Sequence, residues 1–191
     1  MIQSKTDLKY YIIQDKKMNG IIEKSFSSKI KNTLFPDLTL KYLRFLRKSE
    51  YYYNNNCIVQ YWYRYRLRKM GLKLGYSIPI NVFGPGLSIP HRGTIVVNSK
   101  ARIGANCRLH VCVNIGASGG NPNAPQIGNN VYIGPGAILF GDITIADNVT
   151  VGANATVNSS CEQQNVVLAG SPAKIVKEGY PCWLEFNDIS L

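Results

Sequence analysis

The 191-residue chain contains two histidines, His91 and His110, and imidazole is the side chain best suited to move a proton near neutral pH. Placed beside a hydroxyl, it can act as a general base while that oxygen attacks an electrophile. Cys112 follows His110 by two residues. A Cys–His pair can make an activated nucleophile, but Cys107 and Cys112 fall inside a repeat where a small apolar residue is the simpler reading. The five cysteines, Cys57, Cys107, Cys112, Cys161 and Cys182, form no C-x-x-C pair and are odd in number. They fit neither a disulfide framework nor a zinc signature.

A strict repeat must position these residues. Phe83, Ile89, Val97, Ile103, Leu109, Ile115, Ile127, Ile133, Leu139, Ile145, Val151 and Val157 are all large and apolar. They recur every six residues, except for a step of eight at 89→97 and of twelve at 115→127. Glycine follows six of them, at Gly84, Gly104, Gly116, Gly128, Gly134 and Gly152. Neither the helix period nor strand alternation yields a six. A parallel β-helix does: each unit is a short strand and a turn, and three units close one triangular coil. The apolar residue stacks inward and glycine relieves the turn.

Taking every third rung puts Ile89, Leu109, Ile133 and Val151 in one column. His91 then lies on the lengthened rung 89–97, and His110 comes directly after Leu109. The two share an edge in adjacent coils, about 4.8 Å apart. Ala137 and Ala153 continue that column as a line of small residues about 15 Å long, suited to an extended ligand arm. This register treats 116–126, rich in Gly, Pro and Asn, as a projecting loop within one rung. A full extra rung there would move both alanines to another column and leave the histidine pair in place.

Residues 1–75 lack the repeat. Segments 5–18, 38–53 and 56–71 are expected to be helical, with Asn54-Asn55-Asn56 and Gly71 as breaks. The run Tyr61 to Arg68 also alternates with period two and is assigned to helix. This part holds sixteen Lys/Arg against five Asp/Glu, whereas residues 76–191 hold six of each, so the whole net charge of +11 sits here. A basic face can attract nucleic acid, anionic lipid or phosphate-bearing substrates, or it can be a solvated helix surface. The expected organisation is a basic α-helical region over 1–75, a β-helix over 76–168 and a closing segment over 169–191. With 45% hydrophobic residues the chain is not a disordered one. Its start lacks the apolar core of a signal peptide, and no run approaches the ~20 apolar residues of a spanning helix. The reading is a cytoplasmic protein in a reducing compartment.

From Gly84 to Lys177 the chain resembles the hexapeptide-repeat acetyltransferases: serine acetyltransferases and related enzymes of surface-polysaccharide pathways. The segment Leu87 to Val97 looks like that family's histidine-bearing long rung, Val131 to Ala137 like its core repeat, and Ala169 to Lys177 like its closing motif. The resemblance implies a mainly β fold, a left-handed parallel β-helix of hexapeptide repeats with an N-terminal α-helical region. It implies a homotrimer with acetyl-CoA along a groove between coils. His91 and His110 would be the catalytic residues, and Ala137, Ala153, Asn158, Lys174 and Lys177 would border the cofactor. The two lysines suit coenzyme A phosphates as point charges. Direct transfer follows: His91 accepts the acceptor's proton as the alcohol attacks the thioester, and a backbone N–H holds the oxyanion.

Three departures bear on the acceptor. Where serine acetyltransferases carry a second histidine in the projecting loop, this chain has Ala124. Where they carry a carboxylate before the first histidine, it has Pro90, and Tyr76 falls near the place of another. The expected acceptor is therefore a sugar hydroxyl of a surface polysaccharide or its precursor, with L-serine as the alternative. A γ-type carbonic anhydrase would need three histidines on zinc, and two are present. A reading of another class is a non-catalytic scaffold whose basic N-terminus binds nucleic acid or membrane. In a reading that joins the two, that region holds the enzyme near anionic membrane or a lipid-linked glycan, and nucleic acid is not the expected partner.

Overall fold

The computed structural model describes residues 1–20 and 37–187. Residues 21–36 of the expected basic region and 188–191 of the expected closing segment lie outside the described residues. Three helices come first: α1 (Lys5–Met18), α2 (Leu38–Asn54) and α3 (Gln60–Leu74). Helix α1 opens on a capping box, in which Asp7 N–H donates to Ser4 Oγ at 3.0 Å and Ser4 N–H donates to Asp7 Oδ2 at 2.8 Å. Asp37 caps α2 through Thr39 N–H at 2.7 Å. The run Tyr61–Arg68 is helical, but Gly71 does not break α3. A Cβ there would come within 2.6 Å of the Tyr76 carbonyl, so Gly71 serves close packing. The helix ends instead at Gly75, in the left-handed conformation at φ 82°.

The remaining chain winds into a parallel coil with three faces. One face stacks β1 (Tyr76–Ser77), β2 (Ile95–Val97), β5 (Val113–Gly116), β8 (Ile138–Phe140) and β11 (Thr156–Val157). A second stacks β4 (Arg108–Leu109), β7 (Tyr132–Ile133), β10 (Thr150–Val151) and β12 (Val167–Gly170), closed by the antiparallel β13 (Ala173–Lys177). The third holds β3 (Arg102–Ile103), β6 (Gln126–Ile127) and β9 (Thr144–Ile145). Leu109 pairs with Ile133, Ile133 with Val151, and Val151 with Leu168. Ser88 bridges to Arg108, which puts Ile89 at the head of that column. Loop 116–126 therefore sits inside one rung. Strand β12 runs across the expected 168/169 boundary, because Leu168 supplies one more inward rung to the column.

Inward residues are fully buried along each column, with Leu109, Ile115, Ile133, Leu139 and Val151 all at 0% exposure. Each such burial contributes roughly 1.5–3 kcal/mol. The glycines and the turns divide the work differently from expectation. Gly84, Gly104 and Gly128 do not need positive φ; a Cβ at Gly104 would lie 2.7 Å from the Gly128 backbone. They let successive coils touch. The left-handed corners are instead Asn106, Cys112, Asn130, Gly136, Asn148 and Asn154, each three residues before an inward apolar residue. Asparagine tolerates that conformation and also bonds across coils. Asn106 Nδ2 donates to Asn130 Oδ1 at 3.0 Å, and Asn130 Nδ2 donates to Asn148 Oδ1 at 2.9 Å.

One buried ionic knot joins the helices to the first coil. Arg47, 0% exposed, donates to both Asp15 oxygens at 2.8 and 3.1 Å, to Glu50 Oε2 at 3.1 Å and to the Phe83 and Gly84 carbonyls. Asp15 Oδ1 also accepts from Gly86 and Leu87 N–H, and Glu50 Oε1 from Asn81 N–H, each at 2.9 Å. Burial opposes the guanidinium charge, and the two carboxylates outweigh it, holding Arg47 above its ordinary value. The residues after β13 also pack down: Cys182, Trp183 and Leu184 bury against Met18 of α1.

Candidate functional site

The long rung carries His91 out of the coil. Ile89 is buried, and Leu109 N–H donates to Ser88 O at 2.9 Å, which fixes the rung's start. The eight-residue step leaves two extra residues before the strand resumes at Ile95, and His91 sits in that excursion, exposed. Tyr76, whose side chain is otherwise buried, donates its hydroxyl to the His91 carbonyl at 3.1 Å. The same hydroxyl lies 3.3 Å from Thr39 Oγ1 of α2. Thr39 and Tyr76 thus tie the helical region to the backbone of His91. No motif marks them in the sequence; the one signal was Tyr76 standing near the place of a family carboxylate.

His110 follows the column residue Leu109, and its N–H continues the ladder to Ile133 O at 3.1 Å. Its ring lies 5.9 Å from the His91 ring and 5.0 Å from the Tyr132 ring, centroid to centroid. The expected pairing of the two histidines across adjacent coils is what the structure shows. His110 Nε2 is buried and has no hydrogen-bond partner among the described residues. Burial holds the His110 imidazole below its ordinary pKa, and the Arg108 guanidinium and His91 add to the effect. The His110 imidazole is therefore harder to protonate than a free one. A neutral ring with one open nitrogen can donate to or accept from a polar group placed beside His91.

The other expected residues separate. Ala153, Asn158, Lys174 and Lys177 are exposed, with the Lys177 ammonium 4.8 Å from the Tyr180 ring centroid. Lys174 and Lys177 lie on β13, five strand spacings from Ile89, or about 24 Å. Ala137 faces inward at 0% exposure and its N–H and carbonyl both bond within the coil. It fills the core below Leu139, so its side chain does not border a groove. The small residues that do follow the column are Gly134, Gly152 and Ala169, in line with His110. Cys112 also departs from expectation: it is exposed at a left-handed corner, φ 62°, not an apolar filler. Cys107 is the buried one, and burial alone pushes its thiol pKa up. Two large open grooves among the described residues lie elsewhere. One, about 690 Å³, runs along the Ile103–Ile127–Ile145 face, and the other, about 940 Å³, lies between α3 and Tyr76–Ile80.

Residues 124–159, the third and fourth coils, match the family model described as bacterial transferase hexapeptide (six repeats). Over 97 residues, half of this chain, it is 38% identical to a serine acetyltransferase of Staphylococcus xylosus and covers 44% of that protein. The Staphylococcus aureus serine acetyltransferase is 36% identical over the same length and 45% covered. The chain thus spans less than half the length of the curated relatives it matches. In three dimensions it is similar to Neisseria gonorrhoeae serine acetyltransferase, at TM-score 0.73 and 24% identity over 97% of this chain and 72% of that one. It is also similar to the coenzyme A complex of serine acetyltransferase from Brucella abortus, at TM-score 0.69 and 21% identity over 93% and 68%. These are serine acetyltransferases, whereas the expected acceptor is a sugar of a surface polysaccharide. In the described residues no helix is long and apolar enough to cross a membrane. The fold is mainly β, a left-handed parallel β-helix behind an N-terminal helical region; over half its length the chain is similar to serine acetyltransferases, and residues 124–159 carry the bacterial transferase hexapeptide repeat.

Proposed function

We propose that the chain is an acetyl-CoA-dependent O-acetyltransferase that works as a homotrimer in the cytoplasm. The observation that carries this is His91, its carbonyl held by the Tyr76 hydroxyl and its ring 5.9 Å from that of His110, on a coil whose relatives are serine acetyltransferases. His91 takes the proton of an acceptor hydroxyl while that oxygen forms a bond to the thioester carbonyl carbon. The carbon–sulfur bond breaks, and the proton passes from His91 to the leaving thiolate. His110 offers its open Nε2 to the acceptor or to His91. Ala153, Asn158, Lys174 and Lys177 border the coenzyme, the lysines by their charge. A neighbouring subunit closes the site, since His91 stands on an outer edge.

The names of the relatives point to L-serine as the acceptor, and it is the first to test. A second reading, a sugar hydroxyl, has its own support. No Asp or Glu lies between Glu50 and Asp142 in sequence, so the long rung itself brings no carboxylate to His91; Asp37, at the head of α2, is the one whose charge acts on the Tyr76 hydroxyl beside the His91 carbonyl. Ala124, in the place of the family's loop histidine, is 1% exposed and buried under the loop. Thiol release from acetyl-CoA, measured with L-serine and with sugar acceptors, separates the two. His91→Ala should lower turnover by roughly 10²–10⁴-fold with either acceptor while the circular dichroism spectrum is unchanged. Near-normal turnover in that variant would remove His91 from the reaction, and rapid O-acetylserine formation would remove the sugar reading.

A further inference from the structure

We infer that the outer face of α3 is a docking surface for an anionic lipid bilayer. The helix buries Leu67, Gly71 and Leu74 against the molecule and turns the opposite face outward. On that face Trp62, Tyr65, Lys69 and Leu72 follow one another at steps of three and four, continuing from Ile58 just ahead of the helix. This is one continuous stripe. Ile58 is 76% exposed and Leu72 78%, with Trp62 at 52% and Tyr65 at 55%. Arg64, Arg68 and Lys73 flank the stripe, also exposed. Tyr61, Arg64, Tyr65 and Arg68 line the lip of the open 940 Å³ groove beside it.

Charge chooses the occupant. Nine Lys/Arg and no Asp/Glu lie between Glu50 and Asp142, and five of those cations are on α3. A second copy of this face would set five cations against five with no carboxylate between them. A nucleic acid would satisfy the cations but leave Ile58 and Leu72 in water. An anionic bilayer satisfies both. Aromatic rings sit at headgroup depth, aliphatic side chains reach the acyl boundary, and Arg and Lys extend to lipid phosphates. Stacking of Arg66 on Trp62 at 5.4 Å and of Lys69 on Tyr65 at 5.4 Å already places charge beside ring. This inference does not depend on the proposed reaction.

Trp62 makes the test direct, because the only other tryptophan, Trp183, is 4% exposed. The intact chain is mixed with vesicles of phosphatidylcholine alone and of phosphatidylcholine with phosphatidylglycerol. The expected result is cosedimentation and a blue shift of tryptophan emission with the anionic vesicles only, both weakened by added salt. Trp62→Phe should abolish the shift and retain most of the binding. Arg64→Gln, Arg68→Gln and Lys69→Gln together should weaken partition by roughly a hundredfold, at about fivefold per cation lost. Acetyl transfer to a water-soluble acceptor should be unchanged in these variants. Equal binding to both vesicle types, no blue shift, or a Trp62 already shielded from acrylamide without vesicles overturns the inference. So does salt-sensitive binding to RNA without binding to vesicles.

Discussion

The helical region and the coil solve the same burial problem in opposite ways. Six polar or charged side chains are buried among the described residues: Asp15, Thr39, Arg47, Ser49, Glu50 and Ser88. Five of them belong to α1 and α2, and one to the coil. The coil buries apolar columns and satisfies its backbone in parallel ladders, so each rung depends on its two neighbours. The helical region shares the coil's core through Tyr42, Leu43 and Leu46 of α2, and its buried polar contacts are gathered in one charged knot whose members come from α1, α2 and the first coil. A repeat spreads its stability over many similar contacts, whereas a knot concentrates it. The two regions should therefore respond very differently to single substitutions.

The largest effect is expected at the knot. Arg47→Ala leaves Asp15 and Glu50 buried without their cation and leaves the Phe83 and Gly84 carbonyls unpaired. Removing one partner of a buried ion pair costs about 3–5 kcal/mol. Urea unfolding followed by circular dichroism should show helical signal lost well before strand signal, in place of one shared transition. If both signals still fall together at the wild-type midpoint, the knot is not what joins the regions. A triple replacement by apolar residues of matched volume sharpens the comparison. It removes the buried charges and should recover part of the loss, the remainder being the Phe83 and Gly84 carbonyls and the Asn81, Gly86 and Leu87 N–H groups left without partners.

A smaller effect is expected in the coil. Asn130→Ala places an ordinary residue at φ 58° and removes two cross-coil hydrogen bonds. Left-handed conformation in an L-residue costs roughly 1–2 kcal/mol, and each lost bond about 0.5–1.5 kcal/mol. The expected loss is about 2–5 kcal/mol, read as a lower urea midpoint. Asn130→Gly should recover the conformational part and keep only the hydrogen-bond loss. Equal loss in both variants would mean that the corner's backbone conformation contributes little.

Legibility in the sequence follows the same division. The columns could be read because inward residues share one chemistry at a fixed spacing, and the register followed from counting rungs past the 116–126 loop. The histidine pair came with the register. The left-handed corners are also present there, as Asn106, Asn130, Asn148 and Asn154 three residues before an apolar position, but the glycines that follow the column residues are the stronger turn signal. Ala137 was misplaced because its distance from Ile133 suggested the outer edge, whereas it is the inward residue two before Leu139. The knot had no periodic signal. Arg47 and Asp15 are 32 positions apart, and the carbonyls that Arg47 satisfies belong to residues with no side-chain chemistry to announce them. The Thr39–Tyr76–His91 chain is hidden for the same reason.

The smallest effect contrasts the two regions by pH. In the knot, charges are kept because they are paired. On the coil's edge the His110 imidazole is disfavoured as a cation, first by burial and then by Arg108 and His91. Its pKa in the folded chain is therefore below the ordinary value near 6.5 that it has when unfolded. Between the two values the unfolded chain binds more protons, so stability falls as pH drops through that window and is unaffected above it. His110→Gln removes the group, and Glu50, His91 and every other titrating side chain remain in both proteins. The difference between the two melting curves should be flat above about pH 7 and should open below about pH 6.5, with wild type losing more. Identical pH dependence would mean that solvent reaches the His110 ring and relieves the burial. An opening in the opposite sense would mean that His110 gains a partner as a cation, and would place a carboxylate from a neighbouring subunit beside it.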